Sequence, residues 1–321
     1  PRGDPAAVKV INEDTLKLVH SGRPLTTQGA QEEPDFRSFL KEWGGDWMWK
    51  DLQMNEDPQW VADCLRNKTL VCVTDGSYDR KKAPDICGAG WILICRTTRR
   101  YIRGTLVERS PWASSYRGEL LGMLAIRLFL LAVEEYCQVT SSGTGAHCDC
   151  KGVITTFEKP LKRVSAGKAN GDVLRVLRAV QLRTRSTYSH LHVKGHQDSI
   201  KRYADLSFEA KMNTECDGWA KAAIINYVFS DFQGCIGSMD KDLQILPLES
   251  ARVFLGGVKQ TTDIAKGLRA SRGRERAKAF YAKEGVFDNR TFESIDFEAI
   301  QAVLKPKPQM YNLWYGKQCS G

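Results

Sequence analysis

At 321 residues, with 42% hydrophobic and 26% charged side chains, the chain has the composition of an ordinary globular protein. That length is enough for one large domain with smaller appendages. No apolar run reaches the roughly 18 residues of a membrane span, which excludes a membrane-spanning protein and a membrane partner at this stage.

The formal net charge of +9 favours a polyanionic partner, because lysine and arginine near phosphates release condensed counterions. A basic excess of this size is also compatible with a role in solubility alone, so charge leaves nucleic acid as one of two interpretations. Other features of the sequence have to decide between them.

The ten cysteines form no CxxC pair and no regular spacing, and no apolar leader segment opens the sequence. We therefore expect free thiols in a reducing compartment. This predicts an intracellular protein, nuclear or cytoplasmic and not secreted. The chain begins with Pro1 and ends at Gly321 just after an aromatic cluster, so we expect it to be a piece of a longer protein.

Residues 1–66 are predicted to hold a linker and a tryptophan-rich segment. Ser21 to Pro34 is polar, with almost no apolar spacing, which is typical of a linker. Four tryptophans follow before the first strong strand, and we expect them to be buried by packing rather than exposed for base stacking: Trp43, Trp47, Trp49 and Trp60.

Residues 67–232 show the pattern of one α/β domain. Three short runs rich in Val, Ile and Cys predict a meander of strands: LVCVTDGS, CGAGWILICRT and RYIRGTLVE. A long helix over Ser114 to Cys137 is apolar nearly all round, so it should be central. Further elements are predicted at AHCDC (strand), Asp172 to Arg185 (helix), YSHLHVKG (strand) and Asn213 to Tyr227 (helix). The predicted order is β-β-β-α-β-α-β-α, with five strands in one mixed sheet.

Residues 233–321 are predicted to form a separate, basic and mainly helical module. Lysine and arginine are dense from Lys259 to Lys283. An amphipathic helix is predicted near Asp296 to Leu304, where the following Lys305-Pro306 should end it.

Four acidic residues stand where a buried charge needs a partner. Asp75 ends the first strand, in TDGS, and Glu119 lies early on the apolar helix. Asp149 lies between Cys148 and Cys150 in the fourth strand, so alternation predicts that it points away from both cysteines. Asp217 lies about one turn into the last predicted helix.

Each acid taken alone has an ordinary explanation, as a turn residue, a surface helix charge, a cap or a first-turn acid. Together they indicate a metal site, because clustered carboxylates raise one another's pKa unless cations neutralise them. Oxygen ligands of this kind suit two Mg²⁺ ions, with Mn²⁺ as the alternative.

Five short motifs occur in order: TDGS, RGEL, the aspartate of the fourth strand, VKGH, and an Asn four residues before an Asp. In this setting they resemble the type 1 ribonuclease H family over about Thr69 to Phe229, which implies a ribonuclease H-like fold. The resemblance implies that the metal ligands are Asp75, Glu119, Asp149 and Asp217, and that His196 is a mobile catalytic histidine. It implies nucleic-acid contacts from Gly76, Ser77, Ser115, Tyr116, Arg117 and Asn213.

The implied reaction is endonucleolytic cleavage of RNA in RNA–DNA hybrids, leaving 5′-phosphate and 3′-hydroxyl ends. Two positions depart from the family, since Ser115 and Tyr116 stand where many members have polar amides. The segment SIKRYADLSFEAKM reads as an insertion that lengthens the loop after His196. This spacing, together with SSYRGELLG and HVKGHQD, is similar to ribonuclease H-like regions of eukaryotic retroelement polyproteins. The flanking segments PQWVADCLRNKTLVCVTDGSYD and FESIDFEAIQAVLKPKPQM resemble retroelement proteins of diatoms and related algae, which implies a longer polyprotein with a reverse transcriptase.

Two other functions fit the same fold. One is a catalytically idle nucleic-acid-binding module, and the intact acids and histidine argue against it. The other is a transposase or integrase-type nuclease, which usually takes its last acid from a helix after the fifth strand. The position of Glu119 on the first helix and the VKGH motif favour the ribonuclease.

Overall fold

The computed structural model describes residues 35–161, 163–165, 167–232, 244–250, 252–255, 258–285 and 288–295. The predicted linker at Ser21 to Pro34 and the predicted helix at Asp296 to Leu304 lie outside these ranges. The chain forms two compact units, Pro1–Asp263 and Ile264–Gly321. The domain boundaries expected at residues 66 and 233 stay a prediction.

A five-stranded mixed sheet forms the centre of the first unit, and its strand order is β3-β2-β1-β4-β5. The strands are β1 (Leu70–Tyr78), β2 (Ile86–Cys95), β3 (Tyr101–Arg109), β4 (Ser142–Cys148) and β5 (Thr187–His192). The first three pair antiparallel, whereas β4 pairs parallel to both β1 and β5. The predicted fold class, an α/β protein with a five-stranded mixed sheet, is confirmed.

Helices cover both faces of this sheet. Successive residues of β1 point to opposite sides, so each face has its own core of buried residues. Cys72 belongs to the main core with α3 (Ser115–Tyr136), and Val71 and Val73 pack with Cys216 of α6 (Phe208–Phe232). Ser114 caps α3 by accepting a hydrogen bond from the Arg117 N–H, close to the predicted start. Helix α5 (Gly171–Arg183) completes the α3 side.

Strand β1 does not end at Asp75 as predicted, because its pairing with β2 continues to Tyr78. Two further elements differ from the prediction. A short helix, α4 (Lys151–Glu158), follows β4 directly, so the order is β-β-β-α-β-α-α-β-α. Helix α6 begins at Phe208, five residues earlier than expected, where the Ser207 Oγ accepts a hydrogen bond from the Ala210 N–H. The last five residues of SIKRYADLSFEAKM are therefore helical, and the loop after His196 is shorter than the sequence suggested.

The tryptophan-rich segment packs onto the same core through α1 (Phe36–Glu42), a 3₁₀ turn (Asp46–Met48) and α2 (Gln59–Asn67). Trp49 meets Phe129 of α3 with ring centroids 6.3 Å apart. Trp47 is partly buried and donates from Nε1 to the Ile245 carbonyl at 2.7 Å. The expectation of burial is confirmed for the other three tryptophans, each at most 8% exposed: Trp43, Trp49 and Trp60.

A short hairpin, β6 (Phe254–Leu255) with β7 (Val258–Lys259), ends the first unit. The second unit contains α7 (Ile264–Lys283) and α8 (Asn289–Glu293). Arg274 and Lys278 of α7 both pair with Glu293 of α8. Of the helices described in either unit, none combines the length and apolar character that crossing a bilayer requires.

Candidate active site

Strand β1, three residues before its end, and the start of α3 bring two carboxyl groups together. Asp75 and Glu119 are each only 5% exposed. Gly76 makes this approach feasible, because a β-carbon there would overlap the Glu119 backbone. The Gly76 N–H also donates to the Glu119 carboxylate. A strand and the start of a helix thus place two acids in one pocket.

Asp149 comes to the same pocket from β4. Because β4 runs parallel to β1, both strands end at the same edge of the sheet, and Asp149 directly follows the last strand residue. Its Oδ2 lies against Gly195, where a β-carbon would overlap the carboxylate. The glycine of the VKGH motif therefore lets the loop after β5 pass beside Asp149.

The pocket raises the pKa of its acids. Burial, followed by the charges of Glu119 and Asp149, raises the pKa of Asp75 to about 10. Burial and the charge of Asp149 raise the pKa of Glu119 to about 7, although hydrogen bonds from Asp75, Gly76 and Cys148 partly oppose this. Among the described residues, no lysine or arginine pairs with Asp75, Glu119 or Asp149. This part of the site lacks positive charge.

Asp217 stands somewhat apart from the other three acids. It lies nine residues into α6 and not one turn into the helix, and its side chain is 19% exposed. Its Oδ2 pairs with Lys221 Nζ at 2.6 Å, one helical turn further on. Its charge still acts on Asp75, but less than the charges of Glu119 and Asp149.

His196 lies at the rim, exposed and in the left-handed region with φ of 50°. It is the neighbour of Gly195, so its backbone stands next to Asp149. The nearby His192 Nε2 lies 3.0 Å from the Asp149 carbonyl oxygen. Asn213, only 2% exposed, places its Nδ2 3.5 Å from the Thr74 carbonyl and so braces α6 against β1.

Four of the six residues predicted to contact nucleic acid are open or partly open to solvent. Gly76 and Ser77 are half-buried, whereas Ser115 and Tyr116 are exposed at the start of α3. The Tyr116 hydroxyl is 2.9 Å from Thr156 Oγ1 of α4, which fixes the ring at the surface. These positions remain accessible or partly accessible to a ligand.

Arg117 and Asn213 differ from these four because they are buried, at 0% and 2% exposure, so neither side chain is open to a ligand in this structure, and their assignment as nucleic-acid contacts stays a prediction. The Arg117 side chain is bound to Glu108 and, at 2.8 Å, to Asp172. On helix α3 this position faces the α5 side and not solvent, because the neighbouring acids come from β3 and α5. The guanidinium holds elements together.

The sequence reasoning also missed Cys148. Alternation predicted that Cys148 would point away from Asp149, but β4 ends at Cys148 and the alternation stops there. The Cys148 thiol donates to Glu119 Oε2 at a distance of 3.4 Å. In the described part of the chain, one group of metal-ligating atoms lies within 4.8 Å of one another: Glu119, Cys148 and Asp149. The D-x-x-x-K spacing of Asp217 and Lys221 is a sequence signal for their ion pair, because residues four apart on a helix are neighbours.

The donor set fits a hard divalent cation. Carboxylate oxygens of Asp75, Glu119 and Asp149 are the ligands that Mg²⁺ and Mn²⁺ prefer, and buried like charges favour any cation that enters. These three acids would hold it, with Asp217 available once Lys221 moves aside.

No protein-family model matches the chain, and no curated protein matches it. Among solved structures, the chain is similar to the N-terminal RNase H domain of a Mycobacterium tuberculosis protein, with 14% identity, a TM-score of 0.31, and 48% of this chain and 97% of that one covered. RNase H1 from Halobacterium salinarum shows 16% identity and a TM-score of 0.27 over 40% of this chain and 89% of that one. The RNase H domain of prototype foamy virus (PFV) shows 15% identity and a TM-score of 0.32, over 48% of this chain and 93% of that one. Likenesses at this level establish no activity for this chain.

Proposed function

We propose that this chain is a metal-dependent endonuclease that cleaves the RNA strand of RNA–DNA hybrids. The observation that carries the proposal is the pocket formed by Asp75, Glu119 and Asp149. Three elements deliver these acids to one place, where burial and mutual repulsion raise the pKa of two of them. A fold that only needed stability would supply a cation or bury apolar side chains instead.

Each residue has a defined part in this proposal. The three acids and Asp217 would hold two divalent cations. Once bound, such cations activate the attacking water and stabilise the leaving oxygen. Water adds to phosphorus and the bond to the 3′-oxygen breaks, leaving a 5′-phosphate and a 3′-hydroxyl. In this proposal His196, which is exposed and adjacent to Gly195, carries a proton between the site and solvent.

Substrate contact is assigned to the surface around the start of α3. Ser115 and Tyr116 are exposed one turn before Glu119, so a duplex seated on them would bring its backbone to the acids. Hydroxyl groups can recognise the sugar 2′-hydroxyls that distinguish RNA from DNA. Retroelement origin, a reverse transcriptase in the same polyprotein and an intracellular location rest on the sequence motifs and remain predictions.

The idle nucleic-acid-binding module is the second candidate, and one observation favours it. The Lys221–Asp217 ion pair occupies the fourth acid, as expected in a site that no longer takes two cations. The pair is surface-exposed on the lysine side, at 55%, so it is weak and a cation can displace it.

The test is Mg²⁺-dependent cleavage of a labelled RNA–DNA hybrid beside single-stranded RNA, duplex RNA and duplex DNA. Wild type is compared with Asp75→Asn and Glu119→Gln, and with Glu158→Gln as a control at an exposed position. We expect hybrid-only cleavage that falls by at least about 100-fold in the two site variants and is unchanged in the control. Tight hybrid binding without cleavage by the wild type would instead establish the idle module.

A further inference from the structure

A buried thiol lies against the proposed catalytic carboxylates. Cys148 is 0% exposed, and its Sγ stands 3.4 Å from Glu119 Oε2. Asp149 is the next residue, and the ligand atoms of Glu119, Cys148 and Asp149 lie within 4.8 Å of one another. A nuclease that uses Mg²⁺ has no need of sulfur there, since Mg²⁺ takes oxygen ligands.

The spacing matches a different class of cation. Zinc binds thiolate sulfur at about 2.3 Å and carboxylate oxygen at about 2.0 Å, so in a tetrahedral site these two atoms lie roughly 3.5 Å apart. The distance of 3.4 Å from Cys148 Sγ to Glu119 Oε2, which the thiol hydrogen bond spans, is compatible with this geometry. Three protein ligands and one water complete the tetrahedral coordination of an accessible zinc site.

A second buried cysteine shows what distinguishes Cys148. The Cys87 Sγ lies 3.9 Å from Glu108 Oε2, so it also has a carboxylate neighbour. Arg117 already binds Glu108, which leaves that carboxylate no vacancy for a metal ion. Glu119 has no such partner among the described residues, although it is 95% buried beside two more acids. Of these two cysteines, Cys148 is the one whose neighbouring carboxylate has no lysine or arginine partner among the described residues.

We propose that Glu119, Cys148 and Asp149 form a site for a thiophilic divalent cation of the Zn²⁺ class. As the metal–sulfur bond forms, the thiol proton passes to solvent. The cation takes two of the proposed Mg²⁺ ligands, so it competes with Mg²⁺ and inhibits cleavage. The inhibition rests on the proposed function, whereas the binding does not.

Binding is tested with Cd²⁺ as a spectroscopic probe of the reduced, metal-free protein. The ultraviolet charge-transfer band from sulfur to cadmium reports a Cd–thiolate bond directly. We compare wild type, Cys148→Ser and Cys148→Ala with Cys87→Ser and Cys150→Ser as matched controls. The dissociation constant of the tight, stoichiometric Cd²⁺ site should rise at least about tenfold in both Cys148 variants. It should stay at the wild-type value in both controls.

The proposal is overturned if both Cys148 variants keep the wild-type titration, or if Cys150→Ser abolishes it equally. Folding of each variant is checked by near-ultraviolet circular dichroism, and the two Cys148 substitutions differ in polarity so that one packing defect does not decide the result.

Inhibition is then tested by hybrid cleavage at fixed Mg²⁺ with increasing Zn²⁺. We expect the Zn²⁺ concentration for half-inhibition to rise at least about tenfold in Cys148→Ser and to rise with Mg²⁺ in the wild type. A protein that binds Cd²⁺ through Cys148 but cleaves nothing would refute the proposed function and keep the metal site. A protein that cleaves but shows no Cys148-dependent band would do the reverse.

Discussion

Two buried clusters of charge lie two residues apart on α3, and they solve the problem of burial in opposite ways. Around Arg117, two acids meet cations: Glu108 binds Arg117, and Asp172 binds both Arg117 and, at 3.2 Å, Lys259. Around Glu119, Asp75 and Asp149 add further negative charge, and no lysine or arginine of the described residues pairs with any of the three. One helix therefore carries a compensated cluster and an uncompensated one.

The pKa values record this difference. Burial alone would raise the pKa of both Asp75 and Asp172. At Asp172 the charges of Arg117 and Lys259 outweigh burial and lower the pKa below its usual range. At Asp75 the charges of Glu119 and Asp149 add to burial, and the pKa rises to about 10. The compensated cluster joins β3, α3, α5 and β7, whereas the uncompensated one is suited to binding a cation.

The largest expected effect is on the compensated cluster. Arg117→Met should lower the free energy of unfolding by about 3–5 kcal/mol, because it leaves Glu108 and Asp172 buried with too little positive charge. Urea unfolding measures this loss. The control is Arg178→Met at an exposed position of α5, which should change stability by less than about 0.5 kcal/mol. Equal losses in the two variants would mean that the cluster does not stabilise the fold.

The uncompensated cluster should respond to metal instead. Mg²⁺ at 100 times its dissociation constant should raise the free energy of unfolding by about 2.7 kcal/mol, since it binds only the folded site. Urea unfolding in Mg²⁺ and in chelator gives the difference. Glu119→Gln should reduce this gain, and Glu158→Gln should keep it. A gain of the same size in Glu119→Gln would place the Mg²⁺ elsewhere.

Neutralising the two aspartates should change stability in opposite directions. In metal-free protein at pH 8, Asp75→Asn should raise the free energy of unfolding by roughly 1–3 kcal/mol, which corresponds to a change in pKa of about one or two. Asp172→Asn should lower the free energy of unfolding, because it leaves Arg117 with less negative charge.

The pH dependence follows from the raised pKa of Asp75. A group whose folded pKa is raised contributes stability below its unfolded pKa of about 4, and that stability is lost as pH rises toward about 10. The advantage of Asp75→Asn should therefore grow between pH 5 and pH 8. Urea unfolding in chelator at both values measures it, and a constant difference would contradict the raised pKa.

The smallest expected effect concerns Asp217, whose charge is only partly compensated, by the exposed Lys221. Lys221→Gln removes the competing ammonium, so Mg²⁺ should bind up to about five times more tightly, as an exposed ion pair of up to about 1 kcal/mol allows. Cleavage rates at limiting Mg²⁺ measure the change, with Lys211→Gln as a control on the same helix. Weaker Mg²⁺ binding in Lys221→Gln would show that the lysine supports the site.

Much of this arrangement could be predicted from local pattern. An acid in an apolar strand at Asp75 and an acid on an apolar helix at Glu119 are each visible in a few residues, although β1 continues through Gly76 to Tyr78 and does not end at Asp75 as predicted. Alternation and helical periodicity also predicted the five strands and the span of α3 within one residue. Local pattern works here because strand and helix geometry repeat over two to four residues.

Local pattern is not sufficient where a partner distant in the sequence decides the outcome. Arg117 is two residues from Glu119, but only the acids delivered by β3 and α5 determine that it is buried and not on the surface. Cys148 faces Glu119 because β4 ends there, and that end depends on the neighbouring strands and on α4.

The sequence by itself determined which residues are acidic, where the strands and the central helix run, and the order in which they follow. Only the tertiary structure decided which buried charges are compensated. The physical reason is that burial raises the pKa of every carboxyl, and the sign of its final shift depends on charges brought within a few ångströms by folding. Asp75 and Asp172 are the same residue type at similar burial, and their neighbours in space make one a candidate metal ligand and the other a structural anchor.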